Sequence, residues 1–330
     1  MNISNLLEAV VLNVGHGNSA VVREGKHCVI VDAAAGSLVL DFLREEKIDE
    51  VDLVVLSHSD QDHISGLIAL LGSGIVIRAV RLHTDSDKKS KLWNDLALLL
   101  EDARLSGNLN FETGLSVREL SVPGFVRIKF FVVAPSPYLS VKGAGSTDRL
   151  GRNITSNSTS VCIRVVCDQQ PVLLLTGDLD SIGLDEAARS KEDISAPVLV
   201  FPHHGGGAAG DEIKFTSTLL AMVKPDRVIF SMGRNKHMNP RQEIVKAIRI
   251  ANPNIKIACT QLSKHCLGAD KDALLKALKN IGSAHRRTEF CCAGHVRLNL
   301  PIAVTPNVFE VSHQKFVQAH LPDGMCIRSI

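Results

Sequence analysis

Residues 56–67 read LSHSDQDHISGL, and no other stretch constrains the fold as tightly. His58, Asp60, Asp62 and His63 form an H-x-D-x-D-H cluster. The cluster directly follows DLVVL, a short β-branched apolar run of the kind that forms a buried strand. Two carboxylates two residues apart on one turn repel each other unless a cation lies between them. The bland alternative is helix capping, with Asp60 or Asp62 at the head of a helix through HISGLIALL. One cap needs one oxygen, not two carboxylates flanked by two imidazoles. The cluster is read as metal-binding, on a turn between a buried strand and a helix.

Outward from it, short strands, turns and helices alternate. Residues 8–14, 18–23 and 27–32 read as consecutive strands joined by glycine-containing turns. A helix is expected at about 37–46, a strand at 51–56, a helix at 64–72 and a strand at 76–83. A helix near 88–105 follows, then strands within 115–134 and a polar loop at about 138–157. Strands at 160–167, 171–176, 196–201, 226–232 and 255–259 alternate with helices at 181–190, 213–223 and 240–251. Pro240 is expected at the first position of the last of these. No repeat of fixed period is present. Both halves run strands first and then strand–helix alternation, which suits two packed sheets with outer helices.

Composition narrows the function classes. The chain has 330 residues, a net charge of +2 and 45% hydrophobic residues, an ordinary globular balance. That charge predicts no strong field for nucleic acid or membrane. One Trp, one Tyr and eleven Phe make an aromatic stacking platform for single strands a poor expectation. The opening MNISNLLEAVVLNVGHG lacks a basic stretch and its apolar run is broken by Asn13, so it does not read as a signal peptide. No apolar run reaches membrane-spanning length. Eight unevenly spaced cysteines imply no disulfide framework. The expectation is a soluble, cytoplasmic protein without a membrane partner.

Further ligand-type side chains stand at strand ends. Asp32 ends VIVDAAAG, Asp178 follows a strand in LLLTGDLD, and His203 and His204 follow another in VLVFPHHGGG. Each alone reads as a turn former. Together with the first cluster they make a two-metal constellation of imidazoles and carboxylates, with Asp178 available to bridge.

The order of these motifs resembles the metallo-β-lactamase superfamily, and within it the hydrolase domain of bacterial DNA-uptake (competence) proteins of the ComEC type. LNVGHGNSAVV, VIVDAAAG, LSHSDQDHISGL, SNSTSVCIRV, TGD, PHHGGG and IFSMGRNKHMNP carry the resemblance, over about residues 8–260 and at most to 300. It implies an α/β fold, the four-layer αββα sandwich, over residues 1–300. Residues 262–290 are set aside as a Cys/His-containing insertion, and 301–330 as an extension packed on the domain. It also implies two divalent ions. One would be held by His58, Asp60 and a third group from the Asn157 segment, and the other by Asp62, His63 and His203. Asp178 would bridge them and Asp32 would support the ligands from behind. Many relatives carry a histidine where Asn157 stands, so Asn157 is a weak ligand or a substrate contact. Asp60 stands where many carry histidine, and a harder oxygen ligand favours Mn²⁺ over Zn²⁺, with Mg²⁺ also served. In the later loop the family often shows Tyr and then His before the proline, where this chain has His237 and Asn239.

Lys142, Arg149 and Arg152 before Asn157, and Arg234, Lys236 and Arg241 around the late loop, are candidates for phosphate binding or ordinary solvated surface. Cys259, Cys266, Cys291 and Cys292, with His265 and His295 beside them, are candidates for a structural zinc site or simply buried thiols. Adjacent Cys291 and Cys292 point to opposite faces if they lie on a strand.

Three functions follow. The leading one is a metallo-hydrolase cleaving a phosphodiester in DNA, RNA or a nucleotide, a nuclease or phosphodiesterase. Asp62 and Asp178 would serve metals that acidify a water, and His204 or His237 would protonate the leaving oxygen. The second is hydrolysis of a small ester, such as a phosphocholine ester, thioester or lactone, on the same scaffold. The third is a domain that binds nucleic acid or a partner without turnover. Nothing in the sequence sets the oligomeric state.

Overall fold

The computed structural model describes residues 6–208, 210–234, 237–266, 291–302, 308–321 and 323–327. In chain order the strands are β1 (Leu7–Val11), β2 (Ala20–Glu24), β3 (His27–Val31), β4 (Glu50–Val51), β5 (Leu53–Leu56), β6 (Val76–Ile77), β7 (Ala79–Leu82), β8 (Asn110–Glu112), β9 (Arg118–Leu120), β10 (Ile128–Ala134), β11 (Cys162–Cys167), β12 (Gln170–Leu175), β13 (Val198–Val200), β14 (Arg227–Phe230), β15 (Lys256–Cys259) and β16 (Val296–Asn299). The helices are α1 (Leu38–Glu45), α2 (Gln61–Leu71), α3 (Lys91–Leu105), α4 (Pro137–Lys142), α5 (Ser181–Ser190), α6 (Glu212–Val223) and α7 (Gln242–Ala251), with a C-terminal helix at Val308–His320.

Among the described residues the strands form two seven-stranded sheets, β16-β1-β2-β3-β5-β7-β8 and β15-β14-β13-β12-β11-β10-β9. A two-stranded pair, β4 and β6, lies apart from both. Each large sheet is antiparallel on one side and parallel on the other: β3, β5, β7 and β8 run together in the first, β12 to β15 in the second.

Side-chain parity gives the layers. Successive residues of a strand face opposite sides of its sheet. In the first sheet Ala9, Val11, Val29, Val31, Leu53 and Val55 face the second sheet. Val10, Ile30, Val54 and Leu56 face outward, onto Val39, Phe42 and Leu43 of α1, Ile64, Leu67 and Leu70 of α2 and Leu96 and Leu100 of α3. In the second sheet Leu173, Leu175, Val198, Val200 and Ile229 complete the inner core. Leu174, Leu199, Val228 and Phe230 pack outward on Leu184 of α5, Leu219 and Leu220 of α6 and Ile244 and Ile248 of α7. Strands buried on both faces must be apolar throughout, which is why DLVVL and VLVF show no polar alternation. The architecture is the four-layer αββα sandwich that the motif order implied.

Several boundaries moved. α2 begins at Gln61, three residues earlier than the periodicity suggested, so Asp62 and His63 lie in its first turn. α7 begins at Gln242; Pro240 precedes the N-cap Arg241 instead of opening the helix. The polar loop from 138 opens in the short helix α4, where Ser136 Oγ accepts the Leu139 N–H at 3.2 Å. In the C-terminal segment Phe316, Val317, Leu321 and Met325 join the outer core of the second sheet. No helix among the described residues is long and apolar enough to cross a membrane.

Candidate metal centre

Parallel strands put their C-terminal ends at one edge of a sheet, and ligands collect there. Asp32 follows β3, the 57–63 turn follows β5, Thr176–Asp180 follows β12 and Pro202–Gly205 follows β13. Three of these side chains sit on left-handed backbone: Asp32 (φ 61°), His203 (φ 52°) and His204 (φ 55°). Such conformations cost about 1–3 kcal/mol at a non-glycine residue and collect at functional sites.

Asp60 occupies the N-cap position of α2, yet its side chain makes no capping hydrogen bond. It turns instead toward His58 Nε2, 3.7 Å away, and to the Lys88 ammonium. The nearby His58 ring, with Lys88 adding to it, holds the Asp60 carboxyl well below its usual range. The capping alternative is thereby removed.

The imidazole tautomers follow from their partners. Asp32 accepts the Ser57 N–H at 2.7 Å, the Ser57 hydroxyl at 2.8 Å and His63 Nδ1 at 2.8 Å. Ser57 has one hydroxyl proton and gives it to Asp32, so it must accept from His58 Nδ1 at 2.9 Å. His204 Nδ1 donates to the Ser231 carbonyl at 2.9 Å. All three rings therefore carry a proton on Nδ1 and turn Nε2 into the site. The Nε2 atoms of His58, His63 and His204 are buried without a hydrogen-bond partner. That is the geometry of neutral imidazole ligands fixed from behind by carboxylate or carbonyl.

Asp178 lies among them. Its carboxylate is 3.4 Å from His63 Nε2, 3.7 Å from His204 Nε2, 3.9 Å from His58 Nε2 and 3.6 Å from His203 Nδ1. Ser160 Oγ accepts the Asp178 N–H at 3.0 Å and so fixes the turn. Burial, the largest influence on Asp178, opposes its ionisation, but His204 and His63 overcome it and hold the carboxyl well below its usual range. Burial likewise opposes charge on His63, and the carboxylates of Asp178 and Asp32 outweigh it, drawing that ring well above the ordinary imidazole value. The centre thus demands positive charge between its imidazoles and carboxylates, which a proton or a metal ion satisfies. The orphaned Nε2 atoms and the mixed nitrogen and oxygen donors fit divalent ions.

Two groups of ligand atoms draw together, each within 4.8 Å: His58, His63 and Asp178, and His16, Asp62 and His204. His204, not His203, joins the second group. Its ring faces Asp62 Oδ2 at 3.4 Å, whereas His203 reaches only Asp178. His16 is an addition that the sequence reading missed. It lies 3.0 Å from Asp62 Oδ2, in the Gly15–Ser19 turn after β1. Close approach of backbone seats that turn: a Cβ on Gly17 would stand 2.4 Å from the Asp62 carbonyl, and one on Gly233 2.4 Å from His16 N. His237 continues the row, its ring centroid 4.6 Å from that of His16.

The other candidates divide. Asn157 gives its carbonyl to the Ser160 N–H. Neighbouring Ser156 donates to Asp85 at 2.6 Å. Arg149 pairs with Glu186 and Arg152 with Asp148 and Asp185, so both loop cations are tied to carboxylates away from the centre. Arg241 pairs with Glu212. Arg234 is buried, Lys142 is exposed and Lys236 lies outside the described residues. Lys88, which the sequence reading did not single out, is a cation beside the ligands, paired with Asp60. Of the zinc candidates, Cys291 accepts from Asn13 Nδ2 at 3.0 Å, apart from the other three. Of the insertion expected at 262–290, residues 267–290 lie outside the described residues.

Fold and site together define a class: an αββα sandwich with an imidazole–carboxylate centre of the kind that holds divalent metal, on the turns leaving its parallel strands. The chain belongs to the metallo-β-lactamase superfamily of hydrolases, whose family model matches residues 12–234. ComE operon protein 3 of Bacillus subtilis (strain 168) is 26% identical over 219 residues, 64% of this chain and 24% of that protein. Hydroxyacylglutathione hydrolase of Psychromonas ingrahamii is 35% identical over 101 residues, 31% of this chain and 36% of that protein. The chain thus spans well under half the length of either curated relative. Among solved structures, the metallo-beta-lactamase fold protein YhfI from Bacillus subtilis aligns at 10% identity with a TM-score of 0.47, over 76% of this chain and 96% of that one.

Proposed function

We propose that the protein is a phosphodiesterase acting on a polynucleotide or nucleotide inside the cytoplasm. The observation that carries the reading is Lys88 on Asp60, a cation at the lip of a centre already rich in carboxylate. Three ionised carboxylates, Asp60, Asp62 and Asp178, nearly cancel two divalent charges, so an anionic substrate needs further positive charge at the rim. Lys88 supplies it as a compact donor to a non-bridging phosphate oxygen.

His58, His63 and Asp178 would hold one ion, with Asp60 beside it, and His16, Asp62 and His204 the other. When bound, the ions supply Lewis acidity and acidify a water. Asp60 favours Mn²⁺ in this role over Zn²⁺. Asp32, Ser57 and the Ser231 carbonyl keep the three imidazoles in the ligating tautomer. His204 is committed to that task, so proton delivery to the leaving oxygen falls to His237, exposed at the rim and in ring contact with His16. An imidazole can serve as general acid and as general base in such a transfer.

A second reading has its own support: the relative named hydroxyacylglutathione hydrolase favours a thioester. The test is metal-free protein reloaded with Mn²⁺, Mg²⁺ or Zn²⁺ and offered linear DNA, circular DNA, RNA, a bis-aryl phosphodiester and a glutathione thioester. Phosphodiester cleavage restored best by Mn²⁺ is expected, with at least about a 100-fold loss in Asp178→Asn. Thioester cleavage alone, or no cleavage with any metal, overturns the proposal.

A further inference from the structure

A second cluster of metal-type ligands lies on the outer face of the second sheet. Cys259 ends β15, Cys266 lies in the turn Lys264–Cys266, and Cys292 precedes β16. His313 comes from the C-terminal helix and Cys326 from the turn beyond it. All five side chains line one cavity of about 10 Å³, room for a single water-sized sphere. Cys292 Sγ stands 3.4 Å from His313 Nε2. Bonds of about 2.3 Å to sulfur and about 2.0–2.1 Å to nitrogen at a tetrahedral angle set two such atoms about 3.5 Å apart.

We propose that Cys259, Cys266, Cys292 and His313 form a structural site for a thiophilic divalent ion, zinc above all, with Cys326 at its rim. The thiols are near enough to act on one another. Burial first, and then the neighbouring Cys292, Cys266 and Cys326, push the Cys259 thiol well above its usual value. Burial and Cys266 push Cys326 up to about 11. Thiolates ligate only once a cation displaces their protons. Binding releases three protons and leaves three thiolates against two positive charges. Arg249, hydrogen-bonded to the Cys326 carbonyl, offsets the remaining negative charge. Among the described residues the groups of three ligand atoms within 4.8 Å of one another are those of the catalytic edge, so the donors of the thiol site would have to move inward to share an ion.

The sequence pointed to Cys291 as a fourth ligand, but its thiol faces Asn13 on the opposite side. The fourth donor, His313, is far along the chain. The ion would tie the C-terminal helix to the end of β15 and fix the two chain ends that bracket residues 267–290.

Cobalt(II) loading of the full chain tests this independently of catalysis, because the ligand groups of the catalytic edge include no thiol. Wild type is expected to give a near-ultraviolet thiolate-to-cobalt charge-transfer band. Asp62→Ala and Cys291→Ser should keep it; Cys292→Ser and His313→Gln should weaken or shift it. Purified wild type should also hold zinc that survives the Asp62→Ala change. A cobalt form without the band, a band unchanged in Cys292→Ser, or a disulfide by intact mass in place of the metal overturns the site.

Discussion

Asp32 touches no substrate in this scheme, yet three hydrogen bonds converge on it. Replacing it with Asn puts an amide N–H where an acceptor is needed. Facing His63 Nδ1, that N–H forces the ring proton onto Nε2, which then points at Asp178; facing Ser57, it meets the backbone N–H. Either way one donor opposes another. Asp32→Asn is expected to weaken metal binding about 10–100-fold, read by competition with a chelating dye, while circular dichroism stays that of wild type. Unchanged affinity would show that His63 does not need this partner. The strand-end position made Asp32 visible in the sequence. His16 was not visible, since GHG between two strands reads as a turn, and only the folded loop brings it to Asp62. His203 and His204 are adjacent, and sequence offers nothing to rank them. The left-handed backbone at both, and the Ser231 carbonyl behind one, make the choice.

At the scale of elements, α2 carries Asp62 and His63 on its first turn and must approach the strand ends closely. Gly66 permits this: its N–H donates to the Ala33 carbonyl at 2.8 Å. A Cβ there would stand 2.2 Å from the Ala34 oxygen and 3.0 Å from that of Ala33. Both neighbours are backbone, so the helix must move. Alanine gains about 1 kcal/mol of helix propensity over glycine, against typically about 1–3 kcal/mol for overpacking a tight contact. Here the overlap is with backbone, so the second figure prevails. Gly66→Ala should lower the denaturant midpoint at unchanged slope and reduce activity, because Asp62 and His63 shift with the helix. A stabilised variant would mean that α2 is not pinned there. In the sequence Gly66 passes for a tolerated helical glycine. The apolar strands were readable because doubly buried strands must be apolar. The pairing of Arg149 and Arg152 with α5 carboxylates was not, since it depends on how the loop folds back.

On the scale of the whole molecule, the centre is a joint between two sheets. His16, His58, Asp60, Asp62 and His63 follow strands of the first; Asp178 and His204 follow strands of the second. An ion bound by both groups binds only when the sheets are stacked, so its binding energy adds to folding. At a free concentration 100 times Kd this is about 2.7 kcal/mol. Removing metal should therefore lower Tm, and re-addition should restore it in proportion to the logarithm of metal concentration. The pH dependence has a definite sign. The Asp178 carboxyl is depressed in the folded protein, so its contribution is present above the ordinary carboxylate pKa and is lost as pH falls through the folded value. Protons also compete with metal for the imidazoles as pH falls through their range. Both effects weaken the metal-bound fold in acid and neither strengthens it. The metal-induced rise in Tm should be largest at neutral pH and shrink on acidification, and in Asp178→Asn it should be small throughout. A rise independent of pH, or one retained in that variant, would place the stabilising ion elsewhere, and loss of the rise on changing Cys292 to Ser would assign it to the thiol cluster.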